Sequence, residues 1–285
     1  MKKEFFGITK NNESIQKFTL TGGGLIAKFI NWGAVLQDLK FESDSKSLVL
    51  GLEKLEDYIK HSRYFGATAG PYANRIDSGR FRINESEIQL QTNFQKKHHL
   101  HGGTEGIGRR AWNVDEVAKN ALKLSIIHPD GHMGYPGPIQ INATFSLLDS
   151  GILDIVYKAE TEKTTIVNLA HLSYFNLSTE KTILDHELKI NASTFLEVDE
   201  GLIPRGEPQS VEVGEHDFRD FRRIQNVSSI TSNLDHNYCL SLNRQKIRPV
   251  AWLKSNSVSL QINSTEPGTV SYTHLRAHET REDRV

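Results

Sequence analysis

The sequence predicts an all-β fold, a large antiparallel β-sandwich, on three observations. Apolar and polar residues alternate with period two in many short runs, which is the spacing of a strand with one buried face. Turn-forming residues, glycine above all, recur at close intervals between those runs. Helical periodicity is confined to one short stretch, "LEKLEDYIKHS", from Leu52 to Ser62.

Taken in chain order, "GGLIAKFINWGAVLQDLKF" opens the pattern between Gly23 and Phe41, and "ALKLSII" continues it from Ala121. The clearest pair follows. In "IQINATFSL" the residues Ile139, Ile141, Ala143, Phe145 and Leu147 fall on one face, with Gln140, Asn142, Thr144 and Ser146 on the other. After "DSG", the run "ILDIVYKAE" sets Leu153, Ile155, Tyr157 and Ala159 against Asp154, Lys158 and Glu160. Two alternating runs around a glycine-containing turn make an antiparallel hairpin. "DHELKINASTF" and "VSLQINST" are further strands. No linker marks a domain boundary, so residues 1–268 are expected to form one sandwich.

Composition narrows the function. The 285 residues carry a formal net charge of -1, without the basic stripe that nucleic acid demands. One cysteine, Cys239, leaves no disulfide framework and no thiolate metal site. The opening "MKKEFFGITKNN" has too short an apolar run for a signal peptide, and no stretch approaches membrane-spanning length. A cytoplasmic protein is expected, with neither membrane nor nucleic-acid partner, as a monomer or homodimer. The Asn-x-Ser/Thr triplets, such as Asn84-Glu85-Ser86, are then chance.

Nucleophile elbows, phosphate loops, dinucleotide fingerprints and zinc-helix motifs are all missing from the sequence. "HHLHGG" (98–103) places His99 and His101 on one face of an extended strand, a thin case for a metal without a carboxylate or thiolate beside them. The plainer reading is a strand running into a Gly-Gly turn with His101 at its mouth. Polar residues do lodge in glycine-rich or apolar strand ends: Asn74 and Arg75 in "GPYANRI", His101 in "LHGG", and Asp235 in "LDHNY". "PDGHMGYPG" and "NLAHLSYFNL" belong to the same set. Imidazole, guanidinium, carboxylate and aromatic groups gathered on one face suit a neutral polyol, whose ring packs on aromatic planes while charged groups orient its hydroxyls.

In order along the chain, "FGATAGPYANRI", "HHLHGG" with "RRAWNV", "HPDGHMGYPG", "NLAHLSYFNL", "HELKINASTFLEVDEGLIPRGE" and "LDHNY" resemble the motifs of the aldose 1-epimerase (galactose mutarotase) family. The resemblance runs from near the start to about Gly268. It implies a β-supersandwich that interconverts the α and β anomers of hexoses such as galactose and glucose, in hexose metabolism, without cofactor or metal. A glutamate takes the anomeric proton, a histidine protonates the ring oxygen, and the opened sugar recloses as the other anomer. By the same resemblance Arg75 and Asp235 stand at sugar-binding positions and His101 beside the ring oxygen. Asn74, Ser173 and Tyr174 lie in the matching binding segments.

Two departures stand out. The family signature reads Asn-Leu-Thr-Asn-His-Ser-Tyr-Phe-Asn-Leu, so its catalytic histidine falls on Leu172 and His171 takes the preceding position. In an unbroken strand His171 faces the wrong side; a bulge would bring it round. His171 and His101 are therefore the candidate imidazoles for the catalytic proton, with His171 expected to be displaced. After "TEPG" (265–268) the chain reads "TVSYTHLRAHETREDRV", dense in charge and without alternation. Residues 269–285 are expected to be a non-native or disordered tail, and the chain to stop before the glutamate base; Glu279 and Glu282 receive no role. Alternatives are a noncatalytic carbohydrate-binding homologue, or an epimerase of hexose phosphates with Arg109-Arg110 or Arg222-Arg223 facing the phosphate.

Overall fold

The computed structural model describes residues 2–62, 64–212, 214–224 and 234–272. The chain divides into two compact units, Met1–Phe175 and Asn176–Val285, at a point where the sequence carries no linker. No helix among the described residues is long and apolar enough to cross a membrane.

The first unit begins with an antiparallel sheet of β1 (Lys2–Ile8), β2 (Ser14–Gly22), β3 (Leu25–Ile30) and β4 (Val35–Phe41), paired in chain order. The expected helix forms as α1, Leu55–Lys60. Glu56 and Asp57 sit in its first turn and Lys60 in its last, each favourable to the helix dipole, while Leu55 and Tyr58 are buried. Short strands follow: β5 (Ala67–Ala69), β6 (Arg75–Ile76), β7 (Arg80–Ile83), β8 (Ser86–Gln89) and β9 (His99–Leu100). A second four-stranded sheet consists of β10 (Asn113–Val117), β11 (Ala121–His128), β12 (Ile139–Leu148) and β13 (Ile152–Thr161), again in order. Finally β14 (Ala170–Leu172) pairs with β5.

The hairpin of β12 and β13 keeps its register from Ile139↔Thr161 to Leu148↔Ile152 without a bulge. Ser150 and Gly151 in its turn both take positive φ, the twist a tight antiparallel connection requires. The apolar face of β12 is at most 1% exposed from Ile139 to Leu147. The Phe145 ring meets Phe29 of β3 at 4.6 Å, so these faces close one sandwich core. Each such side chain contributes roughly 1.5–3 kcal/mol by leaving water.

The second unit holds β15 (Glu187–Ile190), β16 (Thr194–Phe195), β17 (Gln209–Ser210), β18 (Arg222–Arg223), β19 (Asp235–Cys239), β20 (Arg248–Lys254), β21 (Ser259–Ser264) and β22 (Gly268–Tyr272). They form two antiparallel sheets, β18-β15-β20-β21 and β17-β16-β19-β22. Ile190, Phe195, Val211, Phe218, Tyr238 and Val250 make their core. "DHELKINASTF" is thus two strands in different sheets, broken after Asn191, where Ala192 N turns back to donate to the Ile190 carbonyl at 3.0 Å. The expected break at residue 268 falls inside β22: Thr269 to Tyr272 pair with Tyr238 back to Asp235. Backbone pairing along β19, rather than side-chain alternation, makes that segment a strand. Residues 273–285, with Glu279 and Glu282, lie outside the described residues.

Candidate active site

Asn74, Arg75 and His101 are brought together by a two-residue ribbon, β6 against β9, in which Arg75 pairs with Leu100. Both ends of the ribbon turn sharply. Asn74 has φ 70° and His101 φ 51°, left-handed values that end the strand before His101 and carry it off the face it was expected to share with His99. Two glycines follow because nothing else fits: a Cβ on Gly102 would stand 2.0 Å from the Gly70 carbonyl oxygen. Asn168, the first residue of "NLAHLSYFNL", pins the other side. Its N–H donates to Pro71 O (2.8 Å), its carbonyl accepts from Ala73 N (2.7 Å), and its amide donates to Ala73 O at 3.1 Å.

Within this knot the hydrogen bonds fix donors. The Asn74 N–H donates to His101 Nδ1 at 3.0 Å, and His101 N–H donates back to the Asn74 carbonyl at 3.1 Å. Because a backbone amide can only donate, Nδ1 is unprotonated and the neutral ring carries its proton on Nε2. Burial, the Arg75 charge and His99 hold the His101 pKa down to about 3. At neutral pH it is therefore a fixed, uncharged N–H donor; only about one molecule in 10⁴ is imidazolium. Arg75 Nη1 donates to Asn74 Oδ1 at 3.0 Å, and its guanidinium lies 4.8 Å from the Phe94 ring centroid. The His101 ring packs on Tyr64 at 4.7 Å.

His171 lies elsewhere. β14 pairs with β5 without a bulge, Ala170↔Ala69, His171↔Thr68 and Leu172↔Ala67. Directly opposed residues share a face. Leu172 therefore shares the face of Ala67, which lines a small cavity with Tyr64, Trp32, Tyr58 and Arg109. His171 projects to the Thr68 face, where its ring lies 6.4 Å from Phe145. There its Nε2 shares a 2.7 Å hydrogen bond with Ser173 Oγ, and its Nδ1 is buried with no hydrogen-bond partner among the described residues. Burial lowers its pKa to about 4. Tyr174 meets Phe65 edge-on at 4.8 Å, and its carbonyl accepts from Leu50 N.

In the second unit Asp235 begins β19 and is 8% exposed. His236 follows it, its imidazole 4.5 Å from that of His216. Of the candidate phosphate arginines, Arg109 donates to Ile59 O at 3.0 Å, Arg222 donates to Glu215 O at 3.0 Å and Arg223 lies 3.8 Å from Asp185, while Arg110 Nη1 is buried with no hydrogen-bond partner among the described residues. Among the described residues no cluster of histidine, cysteine and carboxylate groups could hold a metal. Tyr64, Phe94 and Asn168 were not singled out from the sequence. Asn168 opens a motif that was, but its hydrogen bonds reach nearly a hundred residues back and leave no local signal.

Comparison with known proteins gives this arrangement its class. The aldose 1-epimerase family profile matches residues 16–281, and the chain belongs to that family. The galactose mutarotase of Homo sapiens is 35% identical over 278 residues, spanning 91% of this chain and 78% of its own. The aldose 1-epimerase of Haemophilus influenzae is 31% identical over 260 residues, 88% of this chain and 76% of its own. The crystal structure of galactose 1-epimerase from Lactobacillus acidophilus matches with a TM-score of 0.83 at 30% identity, covering 95% of this chain and 82% of that one. An aldose epimerase homologue from C. elegans matches with a TM-score of 0.79 at 26% identity, covering 86% and 77%. The fold is the galactose mutarotase-like β-sandwich.

Proposed function

We propose that the protein interconverts the α and β anomers of hexoses such as galactose and glucose by acid–base ring opening, as a cytoplasmic step of hexose metabolism. The observation that carries this reading is the Asn74–Arg75–His101 knot. Its hydrogen bonds link an uncharged imidazole, a guanidinium and an amide, groups suited to sugar hydroxyls and a ring oxygen. His101, held neutral, polarises the ring oxygen rather than delivering a full proton. Because Asn74, Arg75 and His101 offer the sugar only hydrogen-bond donors, water takes the anomeric hydroxyl proton and delivers one to the ring oxygen, which makes ring opening slow.

One observation favours a second reading, a sugar-binding homologue without turnover. Leucine stands at the position the family signature gives to histidine, and His171 lies on the opposite strand face. A mutarotation assay separates the two. α-Galactose is followed by proton NMR with and without the protein, and bound galactose is measured by titration calorimetry. Saturable acceleration that is lost in Arg75→Ala supports the epimerase. Binding without acceleration supports the second reading. Absence of binding removes both.

A further inference from the structure

We infer that His99 and Tyr135 are a positioning pair for the sugar site: by locking the His99 imidazole they fix the ribbon on which Arg75 and His101 present their donors. The inference rests on the reading that Asn74, Arg75 and His101 hold the hexose.

His99 and Tyr135 are both 0% exposed. The His99 ring is bonded at both nitrogens. Nδ1 lies 2.6 Å from the Gln91 carbonyl oxygen, which can only accept, so Nδ1 carries the proton. Nε2 is then the acceptor, and the Tyr135 hydroxyl donates to it at 2.7 Å. The two rings meet edge-on at 5.3 Å, and His128 packs edge-on against the far side of Tyr135 at 5.5 Å. Two hydrogen bonds and the contact with a Tyr135 ring that His128 holds in turn leave the imidazole one orientation and one tautomer.

The consequence reaches the site because the ribbon is so short. β6 and β9 pair through Arg75↔Leu100 and Ile76↔His99 alone, too few backbone bonds to fix a twist unaided. Side chains complete it. Asn93 Oδ1 accepts from Leu100 N at 2.8 Å and its amide donates to Leu100 O at 2.9 Å. Gln91, whose carbonyl holds His99, also accepts through Oε1 from Thr104 N at 2.8 Å. His101 is therefore suspended between two anchored points, His99 before it and Thr104 after it. Gln91 N donates to Met133 O at 3.1 Å, tying in the loop that carries Tyr135. An error of about 1 Å at such a site costs on the order of 10²-fold in function.

The test uses the full chain labelled with 15N-histidine and long-range 1H–15N correlation. The wild-type spectrum should report His99 as the Nδ1–H tautomer and His101 as the Nε2–H tautomer. In Tyr135→Phe the His101 nitrogens should shift toward a tautomer average and galactose affinity should fall by about 10-fold. His99→Gln, whose amide supplies a donor and an acceptor, should keep more affinity than His99→Leu. Unchanged His101 nitrogens with unchanged affinity in Tyr135→Phe would overturn the inference, as would equal affinities in the two His99 variants. A wild-type chain that binds no galactose would overturn the sugar reading alone; the His101 nitrogens in Tyr135→Phe would still decide the positioning.

Discussion

At the scale of single residues the outcome turns on one position in a strand. His171 and Leu172 are neighbours, yet the pairing of β14 with β5 puts them on opposite faces, against Phe145 and beside Ala67. Restoring an imidazole at the second position is the direct consequence: Leu172→His should raise the mutarotation rate by at least 10-fold, as general acid catalysis contributes roughly 10²–10⁴-fold. His171→Ala should leave the rate within a factor of two while Arg75→Ala weakens galactose binding by about 10-fold or more, measured by calorimetry. A rate abolished by His171→Ala would place that imidazole at the sugar. The alternation rule made the displacement legible in the sequence. What it could not show was where His171 goes, because Ser173 and Phe145 meet it only through the paired strands.

At the scale of elements, local patterning and long-range pairing divide the work. The β12–β13 hairpin was legible because its apolar face repeats every second residue and its turn holds Ser150 and Gly151. Phe145→Ala should cost about 3–5 kcal/mol in a urea titration, since the ring it removes is fully buried against Phe29. The β22 strand was not legible, for its residues follow no alternation and are ordered by β19. Ending the chain after Pro267 should lower stability by about 1–5 kcal/mol, the sum of the five cross-strand pairs lost. The last residue of β11 adds a pH dependence. His128 is 0% exposed, and burial holds its pKa down to about 4 from 6.5. The unfolded chain therefore binds the proton first: stability is full above about pH 6.5 and falls as pH drops toward 4, by up to about 3 kcal/mol. His128→Leu should show a smaller loss between pH 7 and 4.5 in the urea midpoint.

At the scale of the whole molecule, family and fold were legible because several motifs stand in the right order along a strand-rich chain. Division into two compact units was not, since the boundary at Phe175 falls inside the "NLAHLSYFNL" motif rather than in a linker. The candidate site of the first unit was legible as residue types. Its organising contacts, Tyr64 on His101, Phe94 on Arg75 and Tyr135 on His99, come from segments that no short motif joins. The central claim is that this scaffold opens a hexose ring weakly for want of an acid at residue 172. The most direct measurement is the mutarotation of α-galactose by proton NMR, wild type beside Leu172→His at equal concentration. The account predicts a slow, saturable acceleration in the wild type and a rate at least 10-fold higher in the variant. A fast wild type that the substitution leaves unchanged or slows would contradict it.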